Sequence, residues 1–502
     1  MPFTLGNTYQ QLFSSFIAPC QPDKIENPEL VFFNQPLASE HGLSFTHLSE
    51  PQLASLLSGN TALIDCSPFA QGYAGHQFGQ YNPQLGDGRA HILGEFVGKQ
   101  QRRFDLCLKG SGRTPFSRGG DGKATLGTML REAIMAEAMN ALHIPTTRSL
   151  AVVQTNEGVF RQQRQIGGVL SRVASSHIRV GTFQLFAHQG TKADVKQLAD
   201  YVIQRHYPEC SHHDEPYLRL LHEVVSVQAQ LVAKWMSVGF IHGVLNTDNV
   251  SIAGETIDYG PCAFMDAYHP KTVFSSIDHE GRYAYCNQPG ITQWNLARFA
   301  ETLLPLLGDD MEAAVDVATQ AVNQFTQRYQ TAWYENMCEK LGLDVGRTTR
   351  DNAAEMQLVD EWLALLNDHN MDFTLAWHEL AELFEGNDKR LRSHIADQER
   401  LNTWLAHYAV LNHVSLDSGD DSVKHSLTDI VAKMRSVNPT VIPRNHLIEE
   451  ALDVAQQDGD LSQFNLLYNK LMHPFAPLEY DSKYCSPATK QFTQCYRTYC
   501  GT

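Results

Sequence analysis

The chain has 502 residues, 43% of them hydrophobic and 19% charged, with a formal net charge of −17. Those proportions exclude an intrinsically disordered chain, and the acidic balance disfavours non-specific attachment to nucleic acid or to an anionic membrane, so any polyanion site must be a local basic pocket. No run approaches the roughly 18 consecutive apolar residues of a membrane span. The ten cysteines are scattered and form no C-x-x-C pair, which excludes a disulfide scaffold or a zinc ribbon. The opening stretch MPFTLGNTYQQLFSSFIAPC has no basic residues ahead of its short apolar patches, so it reads as neither a secretory signal nor a presequence. The expected location is the cytoplasm.

Residues 1 to about 65 read as loops with short amphipathic pieces and carry no evident chemistry. From Gln71 glycine becomes frequent, and Gly86-Asp87-Gly88-Arg89 lets backbone N–H groups approach an anion beside a guanidinium. Arg103 to Lys109 alternates as a strand and ends in a lysine. The loop from Gly110 to Gly127 then packs six glycines and three cations (Arg113, Arg118, Lys123) into 18 residues, together with Asp121 and Gly122. Successive backbone amides in such a loop suit the wrapping of a phosphate. Thr128 to His143 is a helix by its i+4 apolar spacing, with Glu132 on the first turn. Two strands are expected next, joined across Asn156-Glu157-Gly158, and the segment Ile166 to Phe183 adds Arg172 and Arg179. The histidines between His206 and His222 lack tetrahedral metal spacing and read as a solvated loop, with Asp214 as the N-cap of the amphipathic helix Tyr217 to Met236.

That helix leads into His242-Gly-Val-Leu-Asn-Thr-Asp248-Asn249, where an Asn follows a His by seven places, as in the catalytic loop of a protein kinase. Thr256 to Gly260 reads as a strand ending in an Asp258-aromatic-Gly turn. Asn249 and Asp258 are the hard-oxygen ligands that a divalent ion bridging nucleotide phosphates requires. In that frame Lys109 takes the place of the strand lysine that touches phosphates, and Glu132 that of the helix glutamate that positions it. Val244 departs from the pattern, because it stands where a kinase carries the carboxylate that accepts the substrate proton. Asp248 is the nearest carboxylate able to substitute. Beyond Asp266 an irregular stretch precedes a helix from Trp294 to Leu307, residues 310 to 475 are mainly helical, and the last 25 read as a loose tail.

The stretches FDLCLKGSGRTPFSRGGDGKATLGTMLRE, GFIHGVLNTDNVSI and IDYGPCAFMD resemble the selenoprotein O family over most of the chain from about Asn27 onward. The resemblance implies transfer of AMP from ATP to Ser, Thr or Tyr hydroxyls of other proteins, with ATP reversed in the pocket so that its α-phosphate faces the acceptor. It implies Mg²⁺ or Mn²⁺ on Asn249 and Asp258, Asp248 as base, and phosphate binding by Gly86, Gly88, Arg89, Lys109, Asp121, Gly122, Arg172 and Arg179, with Glu132 as the helix glutamate. In that family the third residue from the C-terminus is selenocysteine or, as here at Cys500, cysteine. A disulfide from the tail to the segment after the Asp-aromatic-Gly turn is implied for some bacterial members, but the region around Phe274-Ser275-Ser276 has no cysteine, and the nearest are Cys262 and Cys286.

The expected architecture is α+β, a two-lobed protein-kinase-like fold: an N-terminal extension (1–65), a smaller lobe with the glycine-rich loops (66–185), a lobe with the metal site (186–310), a helical region (311–480) and a cysteine-bearing tail (481–502). The expected function is protein adenylyl transfer with ATP as co-substrate and without nucleic-acid or membrane partners. The alternatives are a non-catalytic ATP-binding scaffold, on the strength of Val244, and a phosphotransferase using Asp248.

Overall fold

The alternating stretch Arg103–Lys109 lies in the middle of a wholly antiparallel sheet and serves two different cores. The computed structural model describes residues 5–61, 67–344, 352–414, 421–477, 479–480 and 482–499. The strands are β1 (Ile17–Pro19), β2 (Glu29–Phe33), β3 (Phe69–Gln71), β4 (Gly75–Gln77), β5 (Gln80–Asn82), β6 (Ala90–Val97), β7 (Arg103–Lys109), β8 (Ala124–Thr125), β9 (Arg148–Phe160), β10 (Arg164–Ala174), β11 (Phe240–Ile241) and β12 (Ala263–Phe264). The main sheet runs β1-β3-β6-β7-β10-β9-β2, with β8 also paired to β10, while β4–β5 and β11–β12 are separate two-stranded ribbons.

Successive side chains of a strand point to opposite faces, and the two faces are covered differently. Leu106 and Leu108 of β7, Val153 of β9 and Val169 of β10 pack beneath Leu37, Ala38, Leu53 and Leu57. Those four come from α2 (Gln35–His41) and α3 (Glu50–Leu57), which follow the short α1 (Thr8–Leu12). Cys107, Val152 and Leu170, one residue out of step, join the larger core with Met129, Ala133 and Ile134 of α4 (Leu126–Ala141). Each fully buried leucine there contributes about 1.5–3 kcal/mol relative to exposure.

The remaining chain is helical: α5 (Val180–Gln189), α6 (Lys192–His206), α7 (Pro216–Ser237), α8 (Gln288–Leu307), α9 (Met311–Lys340), α10 (Asn352–Asp368), α11 (Leu375–Phe384), α12 (Lys389–His394), α13 (Gln398–Asn412), α14 (Asp421–Val437), α15 (Asn445–Asp458), α16 (Ser462–Leu471) and α17 (Lys490–Cys495). α15 and α16 return to pack on α4, so that helix is buried on almost every side. The result is a mixed α/β architecture with an antiparallel sheet and a helical C-terminal region. Among the described residues no helix is long and apolar enough to cross a membrane.

Five local expectations change. Residues before 66 place β1 and β2 at the two edges of the main sheet and α2 and α3 across one face, because their apolar side chains fill a face that α4 leaves bare. The turn expected at Asn156-Glu157-Gly158 is a bulge within a continuous β9, with Asn156 left-handed at φ 59°, and the hairpin turns at Arg161–Gln163 instead. Thr256 makes only a single parallel bridge to Thr146 rather than a strand, and Glu215 rather than Asp214 precedes the first turn of α7. The tail is docked: Thr498 bridges Ser275, its hydroxyl donates to Pro261 O (2.7 Å), and the Tyr496 hydroxyl meets Arg131 (3.1 Å) and Glu449 (2.8 Å). Cys262 is buried and Cys286 exposed, while Cys500 lies outside the described residues.

Lys340, at the end of α9, is buried with its ammonium 4.7 Å from the ring centre of Trp377 and 5.9 Å from that of Phe373. The rings favour the charged form, yet burial pushes the amine down to about 7. The unfolded chain then holds more protons than the folded one between about pH 7 and the ordinary lysine range, so stability rises with pH across that window. Lys340→Met is therefore expected to raise the melting temperature most at pH 7 and below, with the gain shrinking as the pH approaches about 10. Scanning fluorimetry across that range measures it, and a gain independent of pH would contradict the account.

Candidate active site

Three cations from three elements converge on Asp258. Lys109 ends β7, Arg172 lies on the neighbouring β10 two residues beyond Lys109's cross-strand partner Leu170, and Arg179 is the residue before α5. Asp258 Oδ1 lies 2.7 Å from Lys109 Nζ and 2.8 Å from Arg172, and Oδ2 lies 3.0 Å from Arg179. Burial pushes the Asp258 carboxyl up, but Lys109, Arg179 and Arg172 together hold it well below the usual carboxylate range. Its backbone is left-handed (φ 64°), a conformation that costs a non-glycine residue about 1–2 kcal/mol. Lys109 Nζ also sits 2.5 Å from Glu132 on α4, an ion contact without hydrogen-bond alignment. Arg172 is held from behind, donating from Nε to His177 Nε2 (3.2 Å), while His177 Nδ1 donates to Asp105 (3.0 Å).

These groups line one cavity of about 310 Å³. Gly86, Gly88, Arg89, Lys109, Asp121, Gly122, Glu132, Arg172, Arg179, Val244, Asp248, Asn249 and Asp258 all face it, so every candidate of the sequence reading comes together in space. The glycines are needed sterically: a Cβ on Gly86 would lie 2.4 Å from the Phe116 ring, and one on Gly122, where φ is +69°, would lie 2.1 Å from Gly112 O. Asp121 is held by Arg161 at 2.8 and 3.0 Å and by the Lys123 amide at 3.0 Å. Its carboxylate shapes the loop, and Arg161 brings a cation to the cavity wall. Sequence reading missed Arg161, which sits in an ordinary polar hairpin turn, and Asp87, which lies 3.7 Å from Arg179. Arg161 has no local pattern that marks it, and Asp87, though inside the Gly86-Asp87-Gly88-Arg89 stretch, takes its role only from Arg179.

The loop beneath is fixed by its own hydrogen bonds. His242 Nε2 donates to Ile257 O (2.9 Å), linking the loop to the residue before Asp258, and Asn249 Nδ2 donates to Val244 O (2.8 Å). Asp248 accepts from Gln77 Nε2 on Oδ2 (3.2 Å), while its buried Oδ1 has no hydrogen-bond partner. Burial pushes this carboxyl up, which makes it a better proton acceptor than an exposed aspartate. Among the described residues no three His, Cys, Asp or Glu side chains cluster as a self-sufficient metal site. The donor set nonetheless fits a hard cation shared with a ligand. Asn249 and Asp258 offer oxygen, and the three cations occupy three of the carboxylate's about four lone-pair directions, leaving one on Oδ2.

A family model described as "Protein adenylyltransferase SelO" matches residues 3–472. The chain belongs to the SelO family. It is 51% identical over 486 residues to the "Protein nucleotidyltransferase YdiU" of Chromobacterium violaceum, covering 97% of this chain and 99% of the relative. The protein of the same name from Lachnoclostridium phytofermentans is 48% identical over 502 residues (99% of each), and that from Rhizobium etli 46% over 502 residues (100% of this chain, 97% of the relative). The SelO family is thus one of nucleotidyltransferase enzymes, and this chain matches its relatives from end to end.

The glycine loop of this SelO-family chain supplies a direct test. Gly112 N donates to Gly122 O (3.1 Å), closing the loop, and Gly122→Ala would drive a methyl into that contact. Gly119 also has a positive φ, but a Cβ there meets nothing within 4 Å. Hydrogen exchange at residues 110–123 is expected to accelerate in Gly122→Ala and to change little in Gly119→Ala. Equal acceleration in both would mean that backbone strain alone governs the loop.

Proposed function

We propose that the cavity binds ATP with Mg²⁺ or Mn²⁺ and transfers AMP to a Ser, Thr or Tyr hydroxyl of an acceptor protein, on a two-lobed protein-kinase-like framework with ATP reversed relative to a kinase. The observation that carries it is the buried set Lys109, Arg172 and Arg179 around Asp258, joined at the cavity wall by Arg89 and Arg161. Seven cations line the cavity against five carboxylates (Asp87, Asp121, Glu132, Asp248 and Asp258), an excess that a triphosphate suits in size and charge.

The acceptor oxygen attacks the α-phosphorus, its proton passes to Asp248 Oδ1, the bond to the β-phosphate oxygen breaks, and pyrophosphate leaves with the electron pair. Asp248 suits the proton transfer because burial raises its basicity and because Oδ1 has no competing partner. The glycine loop and the arginines stabilise the charge that collects on the leaving pyrophosphate. Asn249 and Asp258 would hold the divalent ion, which when bound supplies charge neutralisation at the phosphates. Glu132 orients Lys109. Val244 marks the position a kinase-type base would need, and a branched alkane accepts no proton there.

The test is transfer of label from ATP marked at the α- or the γ-phosphate. Label is expected on protein only from the α-position. Asp248→Ala is expected to slow transfer by roughly 10²–10⁴-fold with ATP still bound, and Asp258→Ala to abolish it. Transfer of γ-label would restore a kinase reaction, and ATP binding without any transfer would leave a scaffold.

A further inference from the structure

The β4–β5 ribbon is tied to the loop that carries Asp248. His76 N donates to Thr247 Oγ1 (2.7 Å), Phe78 N to Asn246 Oδ1 (3.1 Å) and Gln77 Nε2 to Asp248 Oδ2 (3.2 Å). Its two-residue turn, Phe78-Gly79, has both φ angles positive, 51° and 82°. Asn and Gly are the usual occupants of such a turn, and a bulky aromatic in left-handed backbone is a costly exception. The ring does not repay that cost by full burial: Phe78 remains 38% exposed, and Tyr81 on β5 is 40% exposed.

A cationic group lies beside this tip. The Arg282 guanidinium is 3.8 Å from where a Cβ on Gly79 would stand and 5.0 Å from the Trp294 ring centre, with Arg298 at 5.2 Å from the same ring. Arg298 pairs with Glu301 (2.7 Å), but among the described residues no carboxylate pairs with Arg282, and its Nε has no hydrogen-bond partner. Tyr283, the next residue, packs edge-on against Phe78 (5.1 Å) and donates to Asn246. An aromatic and cationic patch thus adjoins Asp248 on an otherwise strongly acidic chain.

We propose that the hairpin tip, Arg282 and Trp294 form the face that docks the acceptor protein, and that they favour an acidic segment flanking the modified hydroxyl. The proposal rests on Asp248 receiving the hydroxyl proton, since residues on either side of that hydroxyl must then lie over the elements around Asp248. An acidic side chain supplies the carboxylate that Arg282 lacks among the described residues, and the exposed rings cover the acceptor backbone. The overall negative charge opposes such a partner only weakly, because exposed charges beyond about 8 Å are screened at physiological salt. Nucleic acid would also meet arginine and aromatic side chains here, but its affinity depends on neutralising several phosphates, and Arg298 at this face is already paired with Glu301.

The experiment uses the full chain without ATP and short fluorescein-labelled peptides whose single central serine or tyrosine is flanked by Glu, Gln or Lys. The Glu peptide is expected to bind roughly fivefold tighter than the Gln peptide, the scale of about one exposed charge contact. Arg282→Gln is expected to erase that difference. Phe78→Asn, which keeps a residue suited to the turn, is expected to weaken all three peptides. In transfer assays both variants should raise KM for the Glu peptide while kcat and ATP affinity stay unchanged. Equal binding of the three peptides would overturn the proposal, as would preferential capture of a single-stranded RNA oligomer by the same face, or a fall in kcat in both variants. Because binding is read without ATP, failure of wild-type transfer would strike the reading of Asp248 and leave a measured peptide preference standing.

Discussion

The contact on which the site depends is the carboxylate of Asp258 among Lys109, Arg172 and Arg179. One side chain joins the sheet, through the ends of β7 and β10, to the start of α5 and to the segment that follows His242. Like charges this close are tolerated only with a counter-charge between them, so the carboxylate sets where all three cations can stand. Removing one partner of a buried charge cluster costs about 3–5 kcal/mol, because the remaining charges are left uncompensated. Asp258 holds the three cations in place, and in the proposed reaction a triphosphate would take over some of their hydrogen bonds without first desolvating them.

Support for that cluster comes from far along the chain. Glu132 reaches Lys109 because α4 is locked between the sheet and α15 and α16. Arg131, the adjacent residue, donates to Glu449, to Cys262 O and to the Tyr496 hydroxyl. Gln456 of α15 binds the backbone at both Gly127 N (2.8 Å) and Ile166 O (3.2 Å), pinning the start of α4 to β10. Arg444 closes a second knot with Asp266 and Asp372, both at 2.6 Å. The C-terminal helices therefore act as a clamp on the helix that orients the lysine. The docked tail extends the clamp to Pro261, three residues beyond Asp258.

Local chemistry made much of this legible. Alternation identified β7 and its terminal Lys109, i+4 spacing identified α4 and α7, and the clustering of glycine with arginine marked the loops that line the cavity. The spacing from His242 to Asn249 and the Asp258-aromatic-Gly turn located the two oxygen donors. What stayed hidden has a physical cause in each case. Arg161 and Asp87 matter through partners distant in sequence: Arg161 is a charged residue in a turn with no periodicity to betray it, and Asp87, although inside a glycine–arginine stretch, meets Arg179 only in the folded chain. The tail looked loose because its anchors, Tyr496 and Thr498, are ordinary residues whose partners lie hundreds of positions away.

The sequence by itself determined which chemical groups are available, where helices and strands begin to form, and that several cations of an acidic chain fall within or beside its glycine-rich stretches. Those properties follow from side-chain chemistry and from the short-range periodicities of 3.6 and 2. Only the tertiary structure decided that residues before 66 complete both edges of the sheet, that β9 runs through a bulge instead of turning, and that three cations share one carboxylate. Edge pairing, bulge position and charge convergence all depend on contacts between segments far apart in the chain. Their free energy exists only once the backbone has closed around them.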